Sequence, residues 1–281
     1  MKGGGGEDGA DPGNTVSDEL LYKLENGVGW ITLNRPDAHN AVTPDQRNEL
    51  IALLEDCSAD DEVRCIVLTA TGKGFCTGAD LRAGRDPNAP VKERTMGDVA
   101  RVIRTGAQRL ISAILDCEKP VIAAVNGTAA GLGAHLALAA DLVIAADSAR
   151  FIEVFVRRGI AVDAGGAYLL PRMLGLHKAK ELVFFGDDLS AADAERLGLV
   201  NKVVPLDELE AATREWAERL AGGPTKALAM DKWLLNRSLD SDRRTAFDEE
   251  AWAQELVQAT GDSREGMAAF AERRPTEFKG I

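Results

Sequence analysis

Cysteine and histidine are both scarce in this chain of 281 residues. The four cysteines have no C-x-x-C spacing, and the three histidines are scattered along the sequence. These counts argue against a disulfide framework, a zinc site or a histidine-rich metal site, so we predict no bound metal. Reduced thiols are typical of a cytoplasmic protein, which is the location that the sequence favours.

Long apolar runs are also missing. None approaches the roughly 18 residues of a membrane span. Residues 1–17 are rich in glycine and acidic residues, and they contain no apolar segment of the kind found in a signal peptide. We therefore predict that residues 1–17 form a disordered tail and that the protein has no membrane partner.

Basic residues are fewer than acidic ones, 33 against 45, and the net charge is −12. This balance argues against a non-specific nucleic-acid binder, because such a protein needs a cationic face. It does not exclude an anionic ligand, since a local cationic rim can form on an acidic protein. Hydrophobic residues make up 45% of the chain, which is enough for a sizeable globular core.

Short apolar strands alternate with helical patterns over residues 18–205, and this alternation predicts an α/β core. A turn at Asn26-Gly27 predicts an early β-hairpin. Thr43 followed by Pro44 predicts the start of a helix. Residues 206–281 instead contain a row of helical patterns, which lie at 206–221, 224–237, 243–259 and 263–274.

The helical region has large apolar side chains at positions that look exposed, namely Trp216, Trp252 and Phe270. Two interpretations are equally favoured. The helices either pack only on the core of their own chain, or they form an interface between copies of it.

Two glycine-rich turns, at residues 72–80 and 126–133, each follow a strand of buried type. Glycine permits a close backbone approach and a positive φ, and such turns leave N–H groups free to point outward. Two N–H groups aimed at one point form an oxyanion hole. Taken singly, each turn is more typical of an ordinary strand-to-helix connection. Neither has the G-x-G-x-x-G or G-K-[ST] pattern of a nucleotide site.

Four blocks of sequence together resemble the signature blocks of the crotonase superfamily, the enoyl-CoA hydratases and isomerases. They are ITLNRPDAHNA at 31–41, GFCTGADL at 74–81, AVNGTAAGLGAHLALAAD at 124–141 and GIAVDAGGAYLLPR at 159–172. The blocks have the order and spacing of the family, and residues 264–280 resemble its C-terminus. The resemblance implies a spiral of ββα units followed by a helical region that assembles trimers or dimers of trimers. It also implies an acyl-CoA thioester as substrate, with no separate cofactor.

The resemblance further implies which residues form the site. The thioester oxygen would accept hydrogen bonds from the backbone N–H groups of Ala79 and Leu132, although the family usually has glycine at the second position. Because the donor is the backbone, a side chain at Leu132 need not remove it but would reshape the pocket. Phe270 and Arg273 would hold the nucleotide end, from a neighbouring subunit; a solvated helix face is the alternative for Arg273. The other CoA contacts would come from Asp37, Ala38, His39, Thr77, Asp80 and Leu81.

Hydratases of this family use two glutamates to activate water, and this chain has His135 and Phe155 at those positions. Phe155 is then expected to contact the substrate. Glu153 is displaced from the second position by two residues, so it is a weak substitute. As a neutral imidazole, His135 would bind a polar acyl group or assist proton movement. A satisfied core histidine fits its apolar neighbours better.

Asp163 lies among apolar and glycine residues. Partial desolvation there would raise the pKa of its carboxyl group and favour proton transfer. The alternative is that Asp163 caps the helix that follows. The resemblance favours the first reading, because an aspartate at this position is the base of dienoyl-CoA isomerases. It is also found in the isomerases that act on 1,2-epoxyphenylacetyl-CoA in phenylacetate degradation, which this chain resembles most.

The sequence therefore predicts an isomerase that acts on an unsaturated or ring-epoxide acyl-CoA thioester, with Asp163 as the base. Two alternatives stay open. One is an enoyl-CoA hydratase of fatty-acid β-oxidation with displaced acid–base residues. The other is a protein that binds CoA thioesters without catalysing a reaction.

Overall fold

A computed structural model describes residues 15–83 and 95–281 of the chain. The predicted disordered tail lies outside these residues, except that Thr15–Ser17 form a strand. The polar stretch at 82–98 contains two prolines and is predicted from its sequence to be a loop; it also lies mostly outside the described residues.

Two sheets form the α/β core that the sequence predicts. The strands are β1 (Thr15–Ser17), β2 (Leu20–Glu25), β3 (Val28–Leu33), β4 (Cys65–Ala70), β5 (Gly74–Cys76), β6 (Val121–Val125), β7 (Thr128–Ala130), β8 (Leu142–Ala146), β9 (Arg150–Ile152), β10 (Asp188–Ser190) and β11 (Lys202–Val204). The larger sheet has the order β1-β2-β3-β4-β6-β8-β11, and the smaller has the order β10-β9-β7-β5. From β3 to β11 the larger sheet is parallel. Its central strands β4 and β6 are buried and rich in β-branched residues, as parallel strands covered on both faces usually are.

Helices cover these sheets and make up the C-terminal region. They are α1 (Pro44–Ala59), α2 (Asp98–Ile103), α3 (Arg109–Leu115), α4 (Leu132–Leu138), α5 (Gly166–Leu174), α6 (Leu176–Phe185), α7 (Ala191–Arg196), α8 (Leu209–Ala221), α9 (Thr225–Ser238), α10 (Arg243–Gln258) and α11 (Gly261–Glu272). The predicted start of α1 is confirmed, since the Thr43 side chain accepts a hydrogen bond from the Gln46 N–H at 3.1 Å. The predicted hairpin turn is confirmed as well, with φ of 53° at Asn26 and 75° at Gly27.

Several predicted elements differ in detail from the observed ones. The apolar periodicity of residues 99–115 predicts one continuous helix, but a π-helical turn, Arg104–Gln108, interrupts it between α2 and α3. Both glycine-rich turns contain a short strand, β5 in the first and β7 in the second. Trp216 is half-buried against the core rather than exposed, because α8 packs on the larger sheet. Short-range patterns do not reveal such a packing partner.

The small sheet positions the functional region, because it places the two glycine-rich turns side by side. Strands β5 and β7 are parallel neighbours, with Gly74 opposite Thr128. A Cβ atom at Gly133 would overlap the carbonyl of Cys76, so α4 begins in direct backbone contact with β5. Among the residues that the structure describes, no helix is long and apolar enough to cross a bilayer.

Candidate active site

The first glycine-rich turn directs the backbone of Ala79 away from its neighbours. The Val42 N–H donates to the Gly78 carbonyl at 2.8 Å, and the Val42 carbonyl accepts from the Asp80 N–H at 2.9 Å. In a parallel bridge of this kind, the N–H of the opposite residue points the other way. The Ala79 N–H therefore points away from Val42, and Ala79 is exposed.

The second turn leaves the Leu132 N–H free in the same region. Leu132 is the first residue of α4, so its N–H has no acceptor within the helix. Gly131 precedes it with φ of 54°, a conformation that favours glycine. A Cβ atom at Gly78 would lie 3.6 Å from the Leu132 nitrogen, so the two turns are in contact.

Two buried asparagines hold the first turn in place, although no sequence pattern marks them for this role. Asn40 is fully buried, and its Nδ2 donates to the carbonyls of Thr71 and Gly74 at 2.9 and 2.8 Å. Asn126 donates to the carbonyl of Gly72 at 2.9 Å. The Asn40-Ala41 and Asn126-Gly127 dipeptides are not distinctive in sequence. Only the hydrogen bonds in the structure reveal that the two asparagines support the turn.

A cavity of about 260 Å³ is lined by both Ala79 and Leu132. Its wall also includes Phe155 and Asp163, and most of the other lining side chains are apolar. A larger cleft of about 840 Å³ lies between α3, α5 and the end of α9. None of the proposed reacting groups lines that larger cleft, so we assign the chemistry to the smaller cavity.

Asp163 is the acid of this cavity. Burial raises the pKa of its carboxyl group, and the charge of His135 partly opposes that rise. The residue that caps α5 is Gly165, with no side-chain cap, so the reading of Asp163 as a helix cap is wrong. Within the described part of the chain, no group donates a hydrogen bond to its carboxylate. Asp163 is thus an unpartnered, partly desolvated acid facing the cavity that holds the two amides.

His135 is fully buried on α4 and does not line the cavity. Its Nε2 lies 3.0 Å from Glu153 Oε2 and 3.2 Å from Oε1. Its ring is stacked on Phe155, with centroids 5.6 Å apart. The sequence position of Glu153 makes it a weak substitute for a hydratase glutamate. In the structure, Glu153 lies against His135, and it is 5% exposed.

Three of the predicted CoA contacts, Thr77, Asp80 and Leu81, line the cavity. Asp80 accepts hydrogen bonds from the N–H groups of Arg82 and Ala83 and forms an ion pair with Arg35 at 3.1 Å. These backbone hydrogen bonds and the arginine lower the pKa of the Asp80 carboxyl group. The side chain of Asp80 is therefore engaged in shaping the turn.

The other predicted CoA contacts are outside the cavity wall. Asp37 and Ala38 belong to the 3₁₀ turn Pro36–Ala38, and His39 follows it. The His39 carbonyl accepts from the Thr77 hydroxyl at 3.2 Å, so this exposed turn adjoins the site. Phe270 and Arg273 are exposed at the end of α11, and within one chain they do not reach the cavity.

The cavity wall also includes residues that the sequence analysis did not select. Arg47 comes from α1, Val102 and Ile103 from α2, and Arg158 from the segment before Asp163. Arg47 approaches Gly106, where a Cβ atom would overlap its guanidinium. No local pattern marks these positions, because only the packing of α1 and α2 over the turns makes them a wall.

Comparisons with known proteins agree on the family. The sequence profile described as Enoyl-CoA hydratase/isomerase matches residues 23–281. A Rhodobacter capsulatus protein named "Probable enoyl-CoA hydratase" is 40% identical over 93% of this chain and 98% of its own. The 1,2-epoxyphenylacetyl-CoA isomerase of Escherichia coli K12 is 37% identical over 93% of this chain and 98% of its own.

Solved structures show the same relationship. The enoyl-CoA hydratase/isomerase from Cupriavidus metallidurans CH34 superimposes with a TM-score of 0.85 at 39% identity, over 94% of this chain and 97% of that one. The predicted crotonase-type fold is thereby confirmed. The chain belongs to the enoyl-CoA hydratase/isomerase family of the crotonase superfamily, whose activities are on acyl-CoA thioesters.

Proposed function

We propose that this protein is an acyl-CoA isomerase that shifts a double bond, or rearranges a strained ring, next to the thioester of its substrate. The observation that supports the proposal is that Ala79, Leu132 and Asp163 all line one cavity. The two amides would hold the thioester oxygen, and the carboxylate would act on the carbons beside it. The reaction needs no cofactor besides the CoA of the substrate.

The chemistry follows from these positions. Asp163 removes a proton from the carbon between the thioester and a β,γ double bond. The electron pair of that C–H bond delocalises onto the thioester oxygen, where the two amides stabilise the resulting dienolate. Asp163 then returns the proton to the γ-carbon, and the double bond becomes conjugated with the thioester. One base suffices, because the same proton is taken and given back.

The hydratase route has weaker support, because it needs two carboxylates that face the substrate and a water molecule. Phe155 lines the cavity at one of the family positions for these acids, and His135 at the other is buried outside the wall. Glu153 is itself buried against His135. The names of the relatives include both hydratases and an isomerase, so an assay must distinguish the two.

We expect the wild-type protein to generate conjugation from a 3-enoyl-CoA. The absorbance of the conjugated thioester should rise with time, because a single base moves the double bond towards the carbonyl. A 2-enoyl-CoA should keep its conjugation, and a saturated acyl-CoA should give no signal. Loss of absorbance from the 2-enoyl substrate would instead indicate a hydratase. No change with either, together with tight binding of the thioester, would indicate a non-catalytic binder.

We also propose that the CoA moiety leaves the cavity past Thr77 and Leu81 and lies along the turn at Asp37, Ala38 and His39. Leu81 is 56% exposed, so it offers an apolar surface at the cavity mouth. Phe270 and Arg273 would complete the nucleotide end from a neighbouring subunit, where a guanidinium suits phosphate. This arrangement requires an oligomer.

A homotrimer or dimer of trimers is the assembly we propose. Each of α9, α10 and α11 carries exposed apolar side chains, including Trp252 at 71% and Phe270 at 84% exposure. Apolar surface on this scale is typical of an interface. Light scattering coupled to gel filtration should give three or six times the chain mass of 30.0 kDa. A mass equal to one chain would contradict the proposal.

A further inference from the structure

A buried histidine–carboxylate pair, His135 and Glu153, packs against the turn that carries the proposed catalytic acid, and the proposed reaction does not use it directly. Glu153 and His135 are 5% and 0% exposed. Both oxygens of the carboxylate lie within 3.2 Å of the imidazole Nε2. The described residues offer Glu153 no other hydrogen-bond partner. Burying a carboxylate costs free energy unless a partner compensates it. The contact with His135 therefore offsets the cost of burying Glu153.

The pair is in contact with the turn that carries Asp163. A Cβ atom at Gly166 would overlap the His135 ring at Cε1 and Nε2, so this glycine is needed for the ring to fit. The Gly166 N–H donates to the carbonyl of Asp163 at 3.0 Å. The His135 ring therefore packs directly against the Asp163–Gly166 turn. On its other side the ring is stacked on Phe155, which lines the same cavity as Asp163.

The charges around the ring identify Glu153 as its electrostatic partner. The elements packed against α4 are β5, β6, β7, α3 and α5. Their titratable or charged side chains are Cys76, Arg109, His135 on α4 itself, Tyr168 and Arg172. Burial raises the pKa of the Cys76 thiol, so it is uncharged, and Arg109, Tyr168 and Arg172 are exposed. Glu153 is therefore the ionisable group that pairs with the ring.

Other charges face Asp163 from the cavity wall. They are Arg47 on α1, Arg158 before the turn, and Asp80, which is paired with Arg35. Of all these groups, His135 is the one whose charge lowers the pKa of Asp163 against the effect of burial. These other wall charges stay the same when His135 or Glu153 is replaced.

We propose that Glu153 and His135 act together as a positioning pair for Asp163: they support its turn and place a buried positive charge beside it. The inference rests on the proposed role of Asp163 as the base. Neither member of the pair touches the substrate, since neither lines the cavity. The pair packs against the turn that carries Asp163. Its positive charge favours the ionised form of Asp163 in a partly desolvated site.

The test is the pH dependence of kcat/KM with a 3-enoyl-CoA in His135→Gln, Glu153→Gln and the double variant. Activity requires ionised Asp163, so it falls as the pH drops through the pKa of that group. Removing the positive charge of His135 should move the acidic limb of the pH profile to higher pH. On that limb, kcat/KM should drop by about tenfold relative to wild type, and it should recover at alkaline pH.

The double variant should behave like His135→Gln alone, because His135 is the member of the pair whose charge acts on Asp163. It retains an amide-to-amide hydrogen bond, so it can be measured if a single variant fails to fold. His177→Gln is the matched control, since His177 is exposed on α6, and its limb should not move. An acidic limb that stays in place in the folded double variant, with kcat/KM lowered equally at every pH, would overturn the inference. If Asp163→Asn retained activity, the proposed function itself would fail, which is a separate result.

Discussion

Replacing Asp163 by asparagine is expected to lower kcat/KM for isomerisation of a 3-enoyl-CoA by about 10²- to 10⁴-fold, the range typical of a lost general base. Asparagine preserves the shape of the side chain but cannot accept the proton. The effect should fall on kcat, because the amides of Ala79 and Leu132 still bind the thioester oxygen. Steady-state kinetics at pH 8, compared with wild type, measures this loss directly.

The same substitution should leave the fold intact. Burial raises the pKa of Asp163 in the folded protein. Near neutral pH its carboxyl group is therefore harder to ionise in the folded state than in the unfolded state, and this lowers the free energy of unfolding. A neutral asparagine removes that effect, and the variant should melt at the wild-type temperature or slightly above it. Asp187→Asn, at an exposed position on the loop after α6, is the control, and it should retain full activity. Full activity in Asp163→Asn would mean that another group is the base.

Replacing Lys232 by methionine is expected to cost about 3–5 kcal/mol of unfolding free energy, as for other buried ion pairs that lose one partner. Lys232 Nζ lies 2.8 Å from Asp141 Oδ2 and donates to the carbonyls of Ile114 and Lys119 at 2.9 and 3.2 Å. Its side chain is only 7% exposed. The substitution leaves the partly exposed carboxylate of Asp141 and two carbonyls without this donor, and urea denaturation measures the loss.

The destabilisation should also depend on pH. Burial already raises the pKa of Asp141 while Lys232 opposes the rise, so removing the lysine raises that pKa further. A raised pKa favours the folded state at low pH, and the deficit relative to wild type should therefore shrink as the pH falls. Lys23→Met is the matched control, because its ion pair with Glu25 is exposed and should contribute less than about 1 kcal/mol. If Lys232→Met also lowered the free energy of unfolding by less than about 1 kcal/mol, the Lys232–Asp141 pair would not be needed for stability.

Much of the fold was predictable because its signals are local. The hairpin at Asn26-Gly27 depends on two residues that tolerate positive φ, and the start of α1 depends on a threonine that accepts a backbone N–H three residues later. The π-helical turn between α2 and α3 was not predictable. Its apolar periodicity reads as a continuous helix, and the wider turn is seen only where Arg47 packs against Gly106.

The candidate site was predictable in part. The two glycine-rich turns and Asp163 could be selected from their residue types and from the resemblance to the crotonase superfamily. The residues alone could not decide between a helix cap and a cavity acid, because both readings fit an aspartate before Ala-Gly-Gly, although the resemblance favoured the acid. The choice depended on where the carboxylate points, and α5 takes its cap from Gly165 instead.

By itself, the sequence determined the family, the alternation of strands and helices, and the two turns that expose backbone N–H groups. These features depend on the conformational preferences of residues and their near neighbours. Only the tertiary structure decided that Glu153 meets His135 across 18 residues of chain, and that α1 and α2 close one cavity over both turns. Such contacts depend on how distant elements pack, and the pattern of one segment does not contain that information.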